Sequence, residues 1–166
     1  MTDPSQTRDT DVLIIGAGPT GLVLALWLTH MGVQVRIIDK TSEPGTTSRA
    51  LAVQARTLEF YSQIGLAHAV VEKGRAVIAA NLWVAGKKAA RAVFGEIGKG
   101  ISPFAYALIY PQDEHERLLI DRLSELGVNV ERQTELLDFE EVNDGVRAQL
   151  KLKDGSSQPC TAVYIA

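Results

Sequence analysis

The first forty residues combine two short apolar runs with a longer segment of helical spacing. Val12–Ile15 is an unbroken run rich in branched side chains, which is typical of a strand buried on both faces of a parallel sheet. Leu22–Met31 has apolar residues at helical intervals, and Gly32 stands where a left-handed residue would end the helix. A second branched run, Val33–Ile38, follows directly. This order predicts a β-α-β unit with parallel strands.

Three glycines lie between the first strand and the helix, at the spacing of a dinucleotide-binding turn. Gly16 allows a sharp turn out of the strand, and Gly18 lets backbone N–H groups approach a pyrophosphate. Gly21 allows the helix to pack tightly on the sheet, and Pro19 suits the first helical turn, where its missing N–H would have no partner. The helix N-terminus then presents free N–H groups and the positive end of its dipole to the phosphates.

The second strand ends at an acidic residue. The carboxylate of Asp39 can accept both hydroxyls of an adenosine ribose. It would repel a 2′-phosphate, so we expect this site not to take NADP. The alternative is an ordinary β-α-β unit with a glycine-rich turn. Because strand, glycines, helix, helix stop and acid all stand in register, the pattern favours nucleotide binding.

The later part of the chain changes from parallel to antiparallel patterns. Helices are predicted at 56–64 and 66–73, and a third helix begins at Asp113 and ends before Gly127. The predicted buried face of this third helix is Leu118, Leu119, Leu123 and Leu126. The predicted strands are a hairpin of 76–84 and 89–94, a short strand at 104–110, a parallel strand at 128–130, and later strands at 134–142, 145–153 and 161–166. The predicted fold class is α/β, a Rossmann-like β-α-β unit with a parallel sheet plus an antiparallel β-meander.

The composition narrows the functional classes. The formal net charge of the 166-residue chain is −3 and its basic residues are scattered, so it has no basic field for nucleic acid. The longest apolar stretch, Leu22–Leu28, is too short to span a bilayer. Residues 1–10 are polar and are predicted to be a loose, disordered tail rather than a signal peptide. The only cysteine, Cys160, fits a reducing compartment. We therefore expect a cytoplasmic protein without nucleic-acid or membrane partners.

Few side chains suggest that the protein itself performs catalysis. His30, His68 and His115 do not stand at metal-ligand spacing with one another or with Cys160, so no metal site is predicted. His115 lies between two glutamates on a predicted helix and is expected at the surface. No serine or cysteine nucleophile motif is present, and the carboxylates are predicted to lie mostly on solvated helix faces. Redox chemistry carried by a bound cofactor is the simplest interpretation.

A polar loop at 40–48 leaves the carboxyl end of the second strand, where ligands of such sheets bind. Arg49 follows this loop, and its guanidinium could pair with the pyrophosphate. The alternative is a solvated loop arginine. The spacing alone does not decide between the two.

Three segments together resemble the flavoprotein aromatic hydroxylases, the family of para-hydroxybenzoate hydroxylase, and within it the phenol and polyketide hydroxylase branch. They are Asp11–Asp39, the run Ser48–Glu59 (SRALAVQARTLE) continuing to Ile64 and Gly65, and Tyr110–Leu119 (YPQDEHERLL). The resemblance covers nearly the whole chain. The combination of the three segments is specific, whereas the first segment by itself occurs in many flavoproteins.

The resemblance implies FAD rather than NAD in the fingerprint site, with Arg49 in contact with the FAD. It implies that Gln112 touches the ribityl or phosphate region, where the alternative is a polar helix cap. It also implies that NADH or NADPH is the co-substrate that reduces the flavin, and that the reduced flavin takes up O2 as a C4a-hydroperoxide that hydroxylates an aromatic substrate. No catalytic residue is predicted, and the predicted cofactor-binding residues are Gly16, Gly18, Pro19, Thr20, Gly21, Asp39, Lys40, Arg49 and Gln112.

In the family, a strand like Val163–Ala166 continues into a Gly-Asp-Gly segment, and later segments cover the ribityl chain and the substrate. We therefore expect residues 11–166 to be an incomplete domain, the N-terminal part of the FAD-binding domain of a larger enzyme. Alone it is expected to be inactive, to bind FAD poorly or not at all because half of the cofactor's envelope is missing, and to associate with itself through uncovered surface. Two alternatives remain open: a stand-alone dinucleotide-binding module without catalysis, and part of another FAD oxidoreductase such as a halogenase or reductase.

Overall fold

The computed structural model describes residues 8–45, 52–95 and 98–166. The described residues form four helices and eleven strands, which divide into two compact units: residues 1–46 with 116–166, and residues 47–115. In chain order the elements are β1 (Thr10–Ile15), α1 (Pro19–His30), β2 (Val35–Asp39), β3 (Ala52–Val53), α2 (Ala55–Gln63), α3 (Ala67–Lys73), β4 (Arg75–Ala76), β5 (Ala79–Val84), β6 (Lys87–Val93), β7 (Leu108–Ile109), α4 (Gln112–Glu125), β8 (Val130–Arg132), β9 (Glu135–Val142), β10 (Gly145–Lys151) and β11 (Ser157–Ile165).

The first unit, residues 1–46 and 116–166, is built on a six-stranded sheet in the order β8-β2-β1-β11-β10-β9. The four strands β8, β2, β1 and β11 run parallel. The last three strands in this order pair antiparallel as a meander. The predicted fold class, a parallel sheet with an antiparallel β-meander, is therefore confirmed.

The core of this unit surrounds the two central parallel strands. Leu13 of β1 and Ile38 of β2 are fully buried, and they pack in one cluster with Cys160 and Leu150 of the meander. Burial on both faces explains why these strands are nearly continuous apolar runs. On α1 the fully or nearly fully buried side chains are Leu22, Ala25 and Leu26.

Two boundaries of the first unit differ from the sequence prediction. The predicted tail of residues 1–10 extends too far, because β1 begins at Thr10 and the Asp9 carboxylate accepts hydrogen bonds from the amide and hydroxyl of Thr161 at 2.8 and 3.0 Å. Residues 1–7 of that tail lie outside the described residues. Leu126 was predicted to be buried, but it is 43% exposed because α4 ends one residue earlier, at Glu125.

The second unit, residues 47–115, contains α2, α3 and two small sheets. One sheet has the order β3-β7-β4, and the other is the β5–β6 hairpin. Buried side chains of the two helices and of β7 form the core, with Leu58, Val70 and Leu108 nearly inaccessible. The strand predicted at 104–110 is reduced to Leu108–Ile109, since only these residues pair with neighbouring strands.

The β5–β6 hairpin turns on two residues rather than on the four that were predicted. Val84 pairs with Lys87, which leaves Ala85 and Gly86 as the loop. Both loop residues have positive φ, 47° and 75°, as in the type I′ turn that suits the twist of a hairpin. The second strand therefore begins at Lys87 and not at residue 89.

Candidate functional site

A tight turn connects β1 to α1 and carries the three glycines. Gly16 has φ +104°, a backbone conformation that a side chain would strain, and its amide donates to the Ile38 carbonyl at 2.8 Å. A Cβ at Gly21 would lie only 2.1 Å from the Gly16 carbonyl oxygen. Helix α1 therefore lies against the turn as closely as backbone atoms allow, and position 21 has no room for a side chain.

The N-terminus of α1 has free donors and open space in front of it. Gly18 is the N-cap without a side-chain cap, and Pro19 is the first helical residue. The first intrahelical hydrogen bond runs from the Leu22 amide to the Gly18 carbonyl at 3.0 Å, so the amides of Thr20 and Gly21 have no partner within the helix. A Cβ built on Gly18 would meet nothing within 4 Å. Free amides, a positive helix end and an open approach suit an anionic group such as a phosphate.

The Asp39 carboxylate connects the end of β2 to this turn. Its Oδ2 accepts the Ala17 N–H at 2.7 Å, and its Oδ1 accepts the amide and the hydroxyl of Thr41 at 2.8 and 2.6 Å. A carboxylate has about four acceptor positions, so these three bonds leave one position for a further donor. The side chain of Asp39 is 13% exposed, which leaves that position within reach of a ligand hydroxyl.

Several groups keep Asp39 ionised. Burial acts to raise the pKa of the carboxyl, but hydrogen bonds from the Thr41 hydroxyl and the Ala17 and Thr41 amides, with the charge of Arg132, outweigh it. The net result is a pKa below the ordinary value of 3.8. Asp39 is therefore a preorganised anionic acceptor beside the helix N-terminus.

Arg132 is a charged neighbour of this site that was not among the predicted site residues. It is paired with Asp39 in the parallel register of β2 and β8. Its Nη1 lies 3.6 Å from Oδ2 of Asp39 and donates to the Thr41 hydroxyl at 3.2 Å. The available signal was its position just after a predicted parallel strand, at the carboxyl edge where ligands bind. The pairing of β8 with β2 could not be predicted from the pattern of apolar and polar residues within either strand.

The structure brings most of the predicted cofactor-binding residues together in the first unit. The glycine turn with Pro19 and Thr20 lies at the end of β1, and Asp39 with the exposed Lys40 lies at the end of β2. Arg49 lies outside the described residues. Gln112 is the first residue of α4 and belongs to the second unit.

His115 is not at the surface, as its acidic neighbours suggested, but is only 7% exposed. Its Nε2 lies 2.9 Å from the Tyr61 hydroxyl, and its ring packs against the rings of Tyr61 and Tyr110. The missed signal was helical spacing, since position 115 shares a helix face with Leu118 and Leu119. Burial raises the pKa of Tyr61 to about 12.

A second buried polar group on α4 belongs to the first unit. Glu116 is 5% exposed, and its Oε2 accepts the Gly45 amide at 3.3 Å. The expectation that carboxylates lie on solvated helix faces is therefore wrong for this residue. Glu116 contacts the loop that follows β2, the loop that leads towards Arg49.

The described residues contain no group of three or more histidine, cysteine and acidic side chains that could hold a metal ion. None of the described helices is long and apolar enough to cross a membrane. The features that remain for chemistry are the free amides, the open space at Gly18 and the acceptor position of Asp39. Together they fit the diphosphate and ribose of an adenine dinucleotide.

The family described as "FAD binding domain" matches residues 9–166. The chain belongs to this family. The glycine turn and Asp39 predicted a dinucleotide site, and the family match identifies the dinucleotide as FAD, as the resemblance implied. The recognition of a flavoprotein hydroxylase resemblance is confirmed by the relatives and by the solved structures.

Among the relatives, 6-methylpretetramide 4-monooxygenase of Streptomyces rimosus is 42% identical over 162 residues, which are 98% of this chain and 29% of that enzyme. Pentachlorophenol 4-monooxygenase of Sphingobium chlorophenolicum is 35% identical over 98% of this chain and 30% of that enzyme. A crystal structure of aklavinone-11 hydroxylase with FAD and aklavinone has a TM-score of 0.87 at 26% identity, covering 96% of this chain and 32% of that one. The chain thus spans about a third of the length of these relatives.

Proposed function

We propose that this FAD binding domain works as the cofactor-holding portion of a flavin-dependent monooxygenase that uses NADH or NADPH and O2 to hydroxylate an aromatic substrate. The observation that carries the proposal is the bond from the Ala17 N–H to Asp39 Oδ2 at 2.7 Å. This bond fixes a carboxylate suited to a ribose beside free helix amides suited to a diphosphate. The names of the relatives, which are monooxygenases of aromatic and polyketide compounds, support the reaction class.

Each part of the site has a distinct task in this proposal. The amides of Thr20 and Gly21 hold the diphosphate, which can approach because Gly18 has no side chain. Asp39 accepts a ribose hydroxyl at its remaining position. Lys40, Arg49 and Gln112 provide further cofactor contacts, and for the last two the support is the resemblance to aromatic hydroxylases.

Bound FAD would supply the redox chemistry, in which NADH or NADPH gives two electrons, one atom of O2 enters the aromatic ring and the other leaves as water. The residues of this chain would bind and orient the adenosine diphosphate half of the cofactor. We place the protein in the cytoplasm, in keeping with its single cysteine, Cys160, which is buried.

The cofactor part of the proposal is tested by titrating the ¹⁵N-labelled chain with FAD and following its amide signals. We expect weak binding, with the largest shifts at 16–21 and 39–41. Riboflavin, which lacks the adenosine diphosphate, is expected to bind more weakly, because the proposed contacts are all made to that half of FAD. Equal binding of riboflavin and FAD, or shifts confined to other residues, would contradict the assignment.

The reaction is tested in a chimera in which this chain replaces the matching 162 residues of 6-methylpretetramide 4-monooxygenase. We expect the chimera to hold FAD and to couple NADH or NADPH oxidation to a hydroxylated product. A chimera that binds FAD and oxidises the nicotinamide without any hydroxylated product would favour a reductase. One that folds without binding FAD would contradict the whole proposal.

A further inference from the structure

Arg132 is a partly buried cation that has one inaccessible nitrogen atom with incomplete contacts. Its side chain is 19% exposed, and its Nη2 is inaccessible to solvent and has no hydrogen-bond partner among the residues that the structure describes. The neighbouring Nη1 donates to Thr41 Oγ1 at 3.2 Å and stays 3.6 Å from Asp39 Oδ2. A buried charged N–H without an acceptor costs stability, so this arginine is poorly placed to serve as a structural ion pair.

A well-formed structural pair joins the same two strands. Arg36 of β2 donates to Glu131 of β8 through Nε at 2.8 Å and Nη2 at 2.7 Å, a bidentate arrangement. This pair has the geometry of a strong arginine–carboxylate interaction. The connection between β2 and β8 is thus already supplied, and Arg132 calls for another explanation.

The hydrogen bonds around Thr41 connect Arg132 to the Asp39 carboxylate. A guanidinium only donates, so Thr41 Oγ1 accepts from Arg132. The Thr41 hydroxyl proton is then directed to acceptors, of which Asp39 Oδ1 at 2.6 Å is the nearer and the Glu43 carbonyl at 2.9 Å the farther. Arg132 therefore polarises a hydroxyl that bonds the Asp39 carboxylate.

We propose that Arg132 is a positioning residue for the cofactor, which acts through Thr41 and Asp39 to hold the carboxylate ionised and oriented towards the ribose. This inference rests on the proposed FAD site and adds a residue to it. The groups facing the Asp39 carboxylate are the Ala17 amide of the glycine turn, Thr41 after β2 and Arg132 of β8, while the adjacent Lys40 is exposed. Loss of Arg132 removes the cationic member of this set.

The test compares FAD affinity and stability in four variants: Arg132→Met, Arg132→Lys, Arg36→Met and Asp39→Asn. We expect Arg132→Met to weaken FAD binding about 10-fold, the scale of one charge-assisted hydrogen bond, without loss of thermal stability. Arg132→Lys retains the charge and should restore part of the affinity. Arg36→Met is the matched control, which should lower stability and leave FAD affinity unchanged in the folded protein.

A double-mutant cycle separates positioning from direct contact. If Arg132 acts through Asp39, then Arg132→Met should add little to the loss of affinity already caused by Asp39→Asn. We also expect FAD affinity of Arg132→Met to decline at a higher pH than that of the wild type on acidification, because the carboxylate is less well held in its charged form.

Three outcomes would overturn the inference. In the first, Arg132→Met binds FAD as tightly as the wild type. In the second, its effect is undiminished in the Asp39→Asn background. In the third, Arg132→Met lowers thermal stability as much as Arg36→Met does, which would make Arg132 a structural residue. Failure of the proposed FAD site is a separate result, since in that case the unmutated chimera with 6-methylpretetramide 4-monooxygenase would fold without binding FAD.

Discussion

Gly18 and Gly21 lie three residues apart in one turn, yet they are glycines for different physical reasons. A Cβ at Gly21 would overlap the Gly16 carbonyl oxygen at 2.1 Å, whereas a Cβ at Gly18 would meet nothing within 4 Å. Gly18 also has an ordinary extended backbone, with φ −77° and ψ 178°. The fold therefore requires glycine at 21 but not at 18, where we expect the requirement to come from the phosphate of the proposed cofactor.

The substitutions Gly21→Ala and Gly18→Ala should therefore have different effects, the first on stability and the second on FAD binding. Gly21→Ala is expected to destabilise the chain by about 2–3 kcal/mol, because backbone atoms must move apart to accept the methyl group. Gly18→Ala should change stability by less than about 0.5 kcal/mol and weaken FAD binding instead. Denaturant unfolding and FAD titration of both variants check this. Equal losses of stability would refute the distinction.

Asp39 also stabilises the fold, and this contribution depends on pH. Its pKa is lowered in the folded chain, so the stabilisation is present above the ordinary value of 3.8 and is lost as pH falls through the folded pKa. At neutral pH we expect Asp39→Asn to cost about 1–2 kcal/mol, because the amide has only one acceptor oxygen and its NH2 group would face a donor that the second carboxylate oxygen now accepts from. The difference from the wild type should shrink at acidic pH below the ordinary value. Asp121→Asn, on the exposed side of α4, is the control and should show no such convergence.

The buried phenol of Tyr61 predicts that the stability of the folded chain decreases at alkaline pH. Burial raises its pKa to about 12, above the value of about 10 in an unfolded chain. The folded state thus favours the neutral phenol, so this stabilisation is complete below about pH 10 and is lost as pH rises towards 12. We expect wild-type stability to fall more steeply above about pH 10 than that of Tyr61→Phe. Tyr164→Phe, at an exposed position, should follow the wild type; if it behaves like Tyr61→Phe, the cause is not burial.

Some site residues could be predicted from the sequence because their role depends on neighbours in the chain. The glycine turn and Asp39 fall in this class, since one β-α-β unit contains them all. Arg132 could not be predicted, because its contact with Asp39 depends on the register of two strands that are distant in the chain, as the separation of 91 residues between Arg132 and Thr41 shows. His115 was wrongly predicted at the surface because its neighbours in the chain are charged, whereas its helical spacing places it on the buried face of α4.

At the scale of elements, long periodic segments were predicted better than short ones. Helix α1 and strands β1 and β2 were found near their true limits, because burial dictates their apolar patterns. The short strand β7 was overestimated, since only two of the seven predicted residues find partners in neighbouring strands. Apolar composition in such a segment reflects burial in the unit, and pairing decides where the strand ends.

The hairpin turn between β5 and β6 offers an element-scale prediction. Ala85 has φ 47°, which is unfavourable for alanine, and Gly86 follows it. Asn-Gly is the preferred pair for this turn, so Ala85→Asn should stabilise the hairpin by about 0.5–1 kcal/mol. Hydrogen exchange of the β5 and β6 amides would show this as slower local opening. Ala90→Asn, within β6, is the control and should give no gain; a gain there would argue against the turn as the cause.

At the scale of the whole chain, the exposed apolar surface of the β5–β6 hairpin is the feature that bears on self-association. The β5–β6 hairpin has two strands, and Leu82, Trp83, Val84 and Val93 are each more than half exposed. Two-stranded sheets are marginal in water, and apolar strands with free edges favour pairing with other chains. Within the described part of the chain, the hairpin therefore combines the two features that make a surface prone to association, apolar side chains and strand edges that pair with no further strand.

We expect the 166-residue chain to associate with itself through this hairpin, because association removes apolar surface and free strand edges from water. Sedimentation velocity over a wide range of concentration should show a mass that increases with concentration. Leu82→Lys places a charge on the strand face and should shift the chain towards monomer. Met31→Lys, at another exposed apolar position, is the matched control and should leave the association unchanged. A wild-type chain that stays monomeric throughout, or equal effects of the two lysine variants, would show that the hairpin is not the contact, because Met31 lies at the end of a helix and offers no strand edge.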